Sequence, residues 1–231
     1  FSGVYLQSLG NLLGFGEIYL GLWGIPFTIF CVVGMINAFN MIDGLNGLCA
    51  SLCLVCFIAI IYMINADTVP SLFPLILPVG AITGFLMYNL GVLGNQRTVF
   101  LGDNGSNALG FMCAWILVYF SSVENSNFAP VTALWFVAIP FFDAVGVMAS
   151  RAIKGIMPLR PGRDHLHHRL LDMGLSSNTI YLVLIFISAL FAATGYIFNY
   201  SLPESPYISF YAFMVLWLCY YFLTRYIPKN V

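Results

Sequence analysis

Charge is what this sequence has least of. Charged residues fill 7% of the 231 positions, where an average soluble domain carries about 25%. Hydrophobic residues fill 61%. A soluble domain of this length could not hydrate such a surface, so the excess apolar residues are expected to face lipid. The eight Lys and Arg residues, in a chain of net charge −1, form no basic patch, and no nucleic-acid partner is expected. Histidine is scarcer still. There are three, and they sit together as His165, His167 and His168. An initiating Met is lacking too, and no secretory signal can be read at the N-terminus. The chain is therefore expected to be the C-terminal part of a longer protein.

Six cysteines are present, all in apolar stretches. Cys49, Cys53 and Cys56 recur at helical spacing on one face. With no histidine nearby, they read as small packing residues where membrane helices approach closely, not as a metal site.

Seven apolar stretches are read as spans, against the roughly 20 residues a bilayer requires: 22–41, 45–64, 72–93, 106–120, 131–150, 180–198 and 208–226. Residues 1–21 are Gly-rich and read as an extracytoplasmic hairpin. The linkers then alternate between two sides. One side carries Glu17, Asp67, Glu124 and Glu204 and no cation. The other carries Arg97, Arg151, Lys154, Arg160, Arg163, Arg169, Arg225 and Lys229, and an excess of Lys and Arg marks the cytoplasmic face. The expected architecture is an all-α, polytopic transmembrane helix bundle. It forms a single membrane domain over 1–231, with cytoplasmic active-site loops that include a His/Arg loop at 151–179.

Three polar clusters fall on that face. The first runs from Asn37 through Asn40, Asp43, Gly44 and Asn46 to Gly47. It joins two spans with almost no spacer. Asn, Asp and Gly are ordinary turn residues, but six are more than a turn needs. The second is Phe100–Ser106, where Asp103 stands at a helix start. Such a start favours phosphate, and a carboxylate there can share Mg²⁺ with phosphate oxygens. A plain N-cap competes with that reading. The third, Arg160–Arg169, puts three His beside three Arg. Adjacent His residues diverge on a helix and no fourth ligand offers itself, so anion binding by Arg fits better. A basic loop near anionic lipid is the competing reading. Together the clusters suit phosphoryl transfer, where catalysis is mostly positioning and charge neutralisation.

In order and spacing, the segments 37–48, 99–111 and 158–175 resemble the signatures of the polyprenyl-phosphate N-acetylhexosamine-1-phosphate transferases. The likeness extends to Ser8-Leu9-Gly10 and to the 138–143 segment, and so over essentially the whole chain. The run Asp164-His165-Leu166-His167-His168-Arg169 is similar to that of the GlcNAc branch. The resemblance implies transfer of N-acetylhexosamine-1-phosphate, GlcNAc by default, from a UDP-sugar to undecaprenyl phosphate with release of UMP. That is the first step of a lipid-linked glycan. It implies Mg²⁺, with Mn²⁺ as the alternative, and a bacterial inner membrane with the active site facing the cytoplasm. Membrane lipids, and a second copy of the chain in a homodimer, are the other partners it suggests.

Carried over by position, Asp103 would be the metal ligand and Asp43 the second catalytic carboxylate. Asn37, Asn40, Asn46, Asn89 and Phe100 would bind substrate, with Asn89 and Phe100 at the uracil. Arg163, His165, His167 and His168 would hold the diphosphate or the sugar. Two departures stand out. Asn46 replaces the second Asp of the family's Asp-Gly-x-Asp-Gly pattern, and an amide can both donate to and accept from uracil. The family's Asp-Asp-x-x-Asp run is absent, as are several upstream spans, so this stretch alone is expected to be inactive. The rival readings are a membrane transporter, for which Asp143 is the one charge well inside a span, and an inactive family member.

Overall fold

The computed structural model describes residues 3–64, 73–94, 98–122, 128–160 and 162–226. Among them the chain forms nine α-helices: α1 Gly24–Ile42, α2 Leu48–Met63, α3 Phe73–Asn89, α4 Gly102–Ser122, α5 Pro130–Phe136, α6 Ala138–Ile153, α7 Leu166–Asp172, α8 Ser177–Ser201 and α9 Pro206–Tyr226. Only the segment before α1 is extended. There Leu9 N–H donates to Ile18 O at 2.9 Å and Leu20 N–H to Gln7 O at 2.8 Å, closing a hairpin over residues 3–20. Its Leu6 N–H donates to the buried Thr28 hydroxyl at 2.9 Å, which ties the hairpin to α1.

Helices stand at all seven expected stretches, but fewer are long and apolar enough to cross a bilayer. Gly21–Ile42, Ser177–Ser201 and Pro206–Thr224 meet that requirement. A fourth counts if α5 and α6, bent by 87° at Val137, form one broken span. The physical reasons differ. α2 has 16 residues and α3 has 17, about 24–26 Å at 1.5 Å per residue, short of a core about 30 Å thick. α4 has the length but opens Gly-Asp-Asn-Gly-Ser-Asn, which lowers its hydropathy. In α5–α6 the backbone leaves helical geometry at Val137 (φ −124°, ψ 26°).

Close approach of the helices relies on small residues. Gly110 of α4 lies on α1, where an added Cβ would come within 2.8 Å of Ile36 Cα. The cysteines play the same part. Cys53 of α2 and Cys113 of α4 are fully buried with sulfurs 3.1 Å apart. An aromatic nest of Trp135, Phe142, Phe191 and Phe213 joins α5, α6, α8 and α9, with ring centroids 4.8–6.2 Å apart. Trp135 Nε1–H donates to Ser209 Oγ at 2.9 Å, so the indole is satisfied inside it.

The α1–α2 turn, the α3–α4 loop, the α6–α8 connection and the C-terminus of α9 gather at one end of the bundle. Every cation whose side chain is described, Arg151, Lys154, Arg160, Arg163 and Arg169, lies at that end.

Candidate functional site

α1 runs into Asp43, which caps it as its N–H donates to Asn40 O at 3.3 Å. Gly44 N–H then turns back to Ile42 O at 2.8 Å. Gly47 starts α2 from the left-handed region (φ 77°), a geometry glycine adopts without a side-chain penalty. The first polar cluster is thus a tight corner that holds Asp43 and Asn46 at its rim. Across from it, α4 begins with Asp103 in its first turn. Ser106, fully buried, joins the two: its hydroxyl lies 3.1 Å from Asn40 Oδ1 and 3.2 Å from Asp103 O.

Between these elements lies a cleft of about 320 Å³ lined by Asp43, Asn46, Asn89, Phe100 and Asp103. A second cleft of about 390 Å³ shares Gly44, Asn46 and Asn89 and adds Asn178 and Tyr181 of α8. Burial, and then the negative charge of Asp103, push the Asp43 carboxyl up to about 6. Asn89 is buried, and its amide N–H donates to Val99 O at 2.6 Å while Oδ1 accepts from nothing. A buried acceptor without a partner costs about 1–3 kcal/mol. Phe100, at 79% exposure, offers an open ring at the rim.

The third cluster folds back onto the first. His167 is 1% exposed, and neither ring nitrogen has a partner. The ring rests on Gly44, where a methyl group would collide with Nε2. Burial first, and then His168, drive the His167 pKa down to about 4. His168 is lowered as well, by burial and then by Arg163. His165 turns away from the cleft, and its Nδ1 lies 2.7 Å from Asp143 Oδ2. Arg163 is exposed and has no hydrogen-bond partner among the described residues. Asn37 donates to Val33 O on its own helix at 2.8 Å and lines neither cleft.

Of the residues the sequence singles out, Asp43, Asn46, Asn89, Phe100 and Asp103 come together, with Asn40 behind them and His167 on the adjoining wall. Asn37, Arg163, His165 and His168 line neither cleft. Ser106, a helix-start residue in the sequence, Arg151, a cation of the positive face, and Tyr220 also shape this region, and Asp143, the one charge well inside a span, has partners there. It is paired with the loop. A carboxylate in an apolar run was itself the signal, because such a charge demands a partner.

Among the described residues no group of three or more His, Cys, Asp or Glu converges as a metal site. Two carboxylates on one cleft still suit Mg²⁺. That ion binds through one or two carboxylates and completes its shell with waters and substrate phosphates.

Fold and site define a class: a helical membrane protein whose paired carboxylates, set at helix ends, face a polar cleft at the end where its cations gather. The chain belongs to glycosyl transferase family 4, which it matches over residues 1–121. Along its whole length it is 39% identical to the undecaprenyl-phosphate alpha-N-acetylglucosaminyl 1-phosphate transferase of Escherichia coli K12, covering 62% of that protein. The proteins of that name from Salmonella typhi and Haemophilus influenzae are 36% and 38% identical over 98% and 96% of the chain. The chain spans 61% and 62% of their lengths.

Proposed function

We propose that the full-length protein transfers N-acetylhexosamine-1-phosphate, GlcNAc-1-phosphate by default, from a UDP-sugar to undecaprenyl phosphate. An oxygen of the lipid phosphate attacks the β-phosphorus of the UDP-sugar. The new P–O bond forms as the bond from that phosphorus to the bridging oxygen breaks, and UMP leaves with the electron pair. The observation that carries this reading is the single cleft that holds Asp43, Asp103 and the unpartnered acceptor of Asn89. The names of the relatives supply the acceptor and the transferred group.

Asp103 and Asp43 would hold Mg²⁺, which supplies charge neutralisation at the diphosphate. The chain's own residues do the rest. Asn89 Oδ1 accepts a base N–H, the open ring of Phe100 stacks on the base, and the Asn46 amide both donates and accepts. The acceptor phosphomonoester has a second pKa near 6, so it is largely dianionic at pH 7 and needs no strong base. Asp43, titrating in the same range, then acts mainly by position. The cation-rich end faces the cytoplasm of a bacterial inner membrane. The short helices α2 and α3, the polar-headed α4 and the bent α5–α6 pair complete a seven-span arrangement.

The test supplies full-length protein, in lipid, with UDP-GlcNAc, undecaprenyl phosphate and Mg²⁺. UMP release that chelation stops and that Asp103→Ala abolishes is the expected result. No UMP from the unaltered protein overturns the reading, and competition among UDP-sugars ranks the sugar.

A further inference from the structure

Asp143 sits in the middle of α6 and is 2% exposed, yet it makes more polar contacts than any carboxylate on the cleft. Oδ2 faces His165 Nδ1 at 2.7 Å. Oδ1 accepts from Leu166 N–H at 2.8 Å and from the Tyr220 hydroxyl at 3.1 Å. One carboxylate therefore ties together α6, α9 and the first residue of α7. The contact to Leu166 is the informative one. α7 starts after His165, whose side chain makes no capping bond, so Asp143 supplies the acceptor that a local Ser or Asp would supply elsewhere.

α7 is short, and its position decides where His167 and His168 lie. The Asp143–His165 contact also selects a tautomer. A carboxylate only accepts, so Nδ1 carries the proton and donates. We propose that Asp143 is a positioning residue of the transfer reaction: it fixes the start of α7 and the ring of His165, and so holds His167 against Gly44 beside Asp43. The word "transfer" rests on the function proposed above; the positioning does not. Two arginines add further anchors, Arg151 of α6 to the loop before α7 and Arg169 within α7 itself. Arg151 Nε donates to Asp164 Oδ2 at 3.2 Å and Arg151 also reaches Pro158 O at 3.0 Å. Arg169 Nε donates to Asp164 O at 3.0 Å, and its guanidinium also holds Thr224 O. Loss of Asp143 should therefore loosen the start of α7 without unfolding the bundle.

Two variants of the full-length protein test this. In Asp143→Asn the amide oxygen can keep Leu166 and Tyr220, which turns the amide N–H toward His165 Nδ1 and forces its proton onto Nε2. The expected result is an unchanged tryptic pattern, a KM for UDP-GlcNAc within about twofold, and a kcat lower by about 10–100-fold, the usual scale for losing an orienting partner. In Asp143→Ala trypsin should cut faster than in the unaltered protein at Arg169, which is buried there, as well as cutting at the exposed Lys154 and Arg163. Native kcat in Asp143→Asn overturns the proposal, as does an unchanged rate of cutting at Arg169 in Asp143→Ala. Cleavage of Asp143→Asn at Arg169 with a matching loss of substrate affinity also overturns it, since the residue then only holds the fold. If the unaltered protein releases no UMP, the transfer reading fails, while the tryptic comparison still decides whether Asp143 positions α7.

Discussion

Gly44→Ala probes a contact between the first and third polar clusters. Gly44 is absent from the glycines with positive φ, so alanine meets no backbone penalty there. What it meets is the His167 ring. The new methyl would overlap Nε2 and come within 2.7 Å of Cδ2 and 2.9 Å of Cε1. The ring has little room to retreat, because His167 is 1% exposed and its neighbour His168 lies 4.2 Å away between centroids. Overpacking of this kind costs about 1–3 kcal/mol. For a domain of this size that lowers Tm by roughly 2–4 °C per kcal/mol.

The assay is thermal unfolding of the full-length protein in lipid, run as a double-mutant cycle with His167→Ala. Removing the ring removes the collision, so the double variant should be more stable than the two single losses predict. A coupling of about 0.5–3 kcal/mol is the range for residues in contact. If Gly44→Ala melts with the native protein, or if the two losses add, then His167 does not sit on Gly44. The third cluster would then be separate from the cleft.

Asp103→Asn removes the second cause of the raised Asp43 pKa. Without divalent cation, the pH midpoint for carbodiimide labelling of Asp43 should move below about 6; an unmoved midpoint refutes the coupling. His167 has a folded pKa near 4 against 6.5 in water. The unfolded chain therefore takes up its proton first. Stability is full above pH 6.5 and falls as pH drops from 6.5 toward 4, by about 3 kcal/mol at most. His167→Gln should flatten the fall in Tm between pH 7 and 5, and an equal fall in both proteins counts against a buried neutral ring. Asn89→Ala removes the unpartnered acceptor proposed to meet the base, worth about 0.5–1.5 kcal/mol. UMP should bind roughly 2–12-fold more weakly by calorimetry, and native affinity would take Asn89 out of the nucleotide site.

The apolar stretches and the three polar clusters were legible because they are local. Composition marks the first, and unusual density of Asn, Asp, Gly and His marks the second. Whether each stretch crosses the bilayer as one helix was not legible. The break at Val137 lies three residues before Pro140, which has no N–H for Phe136 O and crowds that carbonyl, but a proline does not announce a bend as large as 87°. The pairing of clusters was beyond reach too. That His167 rests on Gly44 joins positions 123 residues apart, and no pattern in either segment announces it. Asp143 shows the difference most sharply. In sequence it is one charge among apolar residues, which says that a partner exists. Only the fold says that the partners are His165, Leu166 and Tyr220.

The cations that mark one face in the sequence divide in the structure. Arg151 and Arg169 are buried; they donate to Asp164 and to the carbonyls of Pro158, Arg160 and Thr224, while Arg151 Nη2 has no partner among the described residues. A guanidinium committed in this way gives up the bidentate geometry that a phosphate would need. It shapes the loop, and replacing it with Lys would lose the fork that spans several carbonyls. Arg163 is the opposite case, exposed and without a hydrogen-bond partner among the described residues. Its charge already bears on His168. An anion arriving at the cleft would find Arg163 free to turn toward it, while Arg151 and Arg169 stay with the loop. The face that topology alone would call positive therefore offers a substrate fewer available charges than its count, and the loop that carries them takes its shape from the ones withheld.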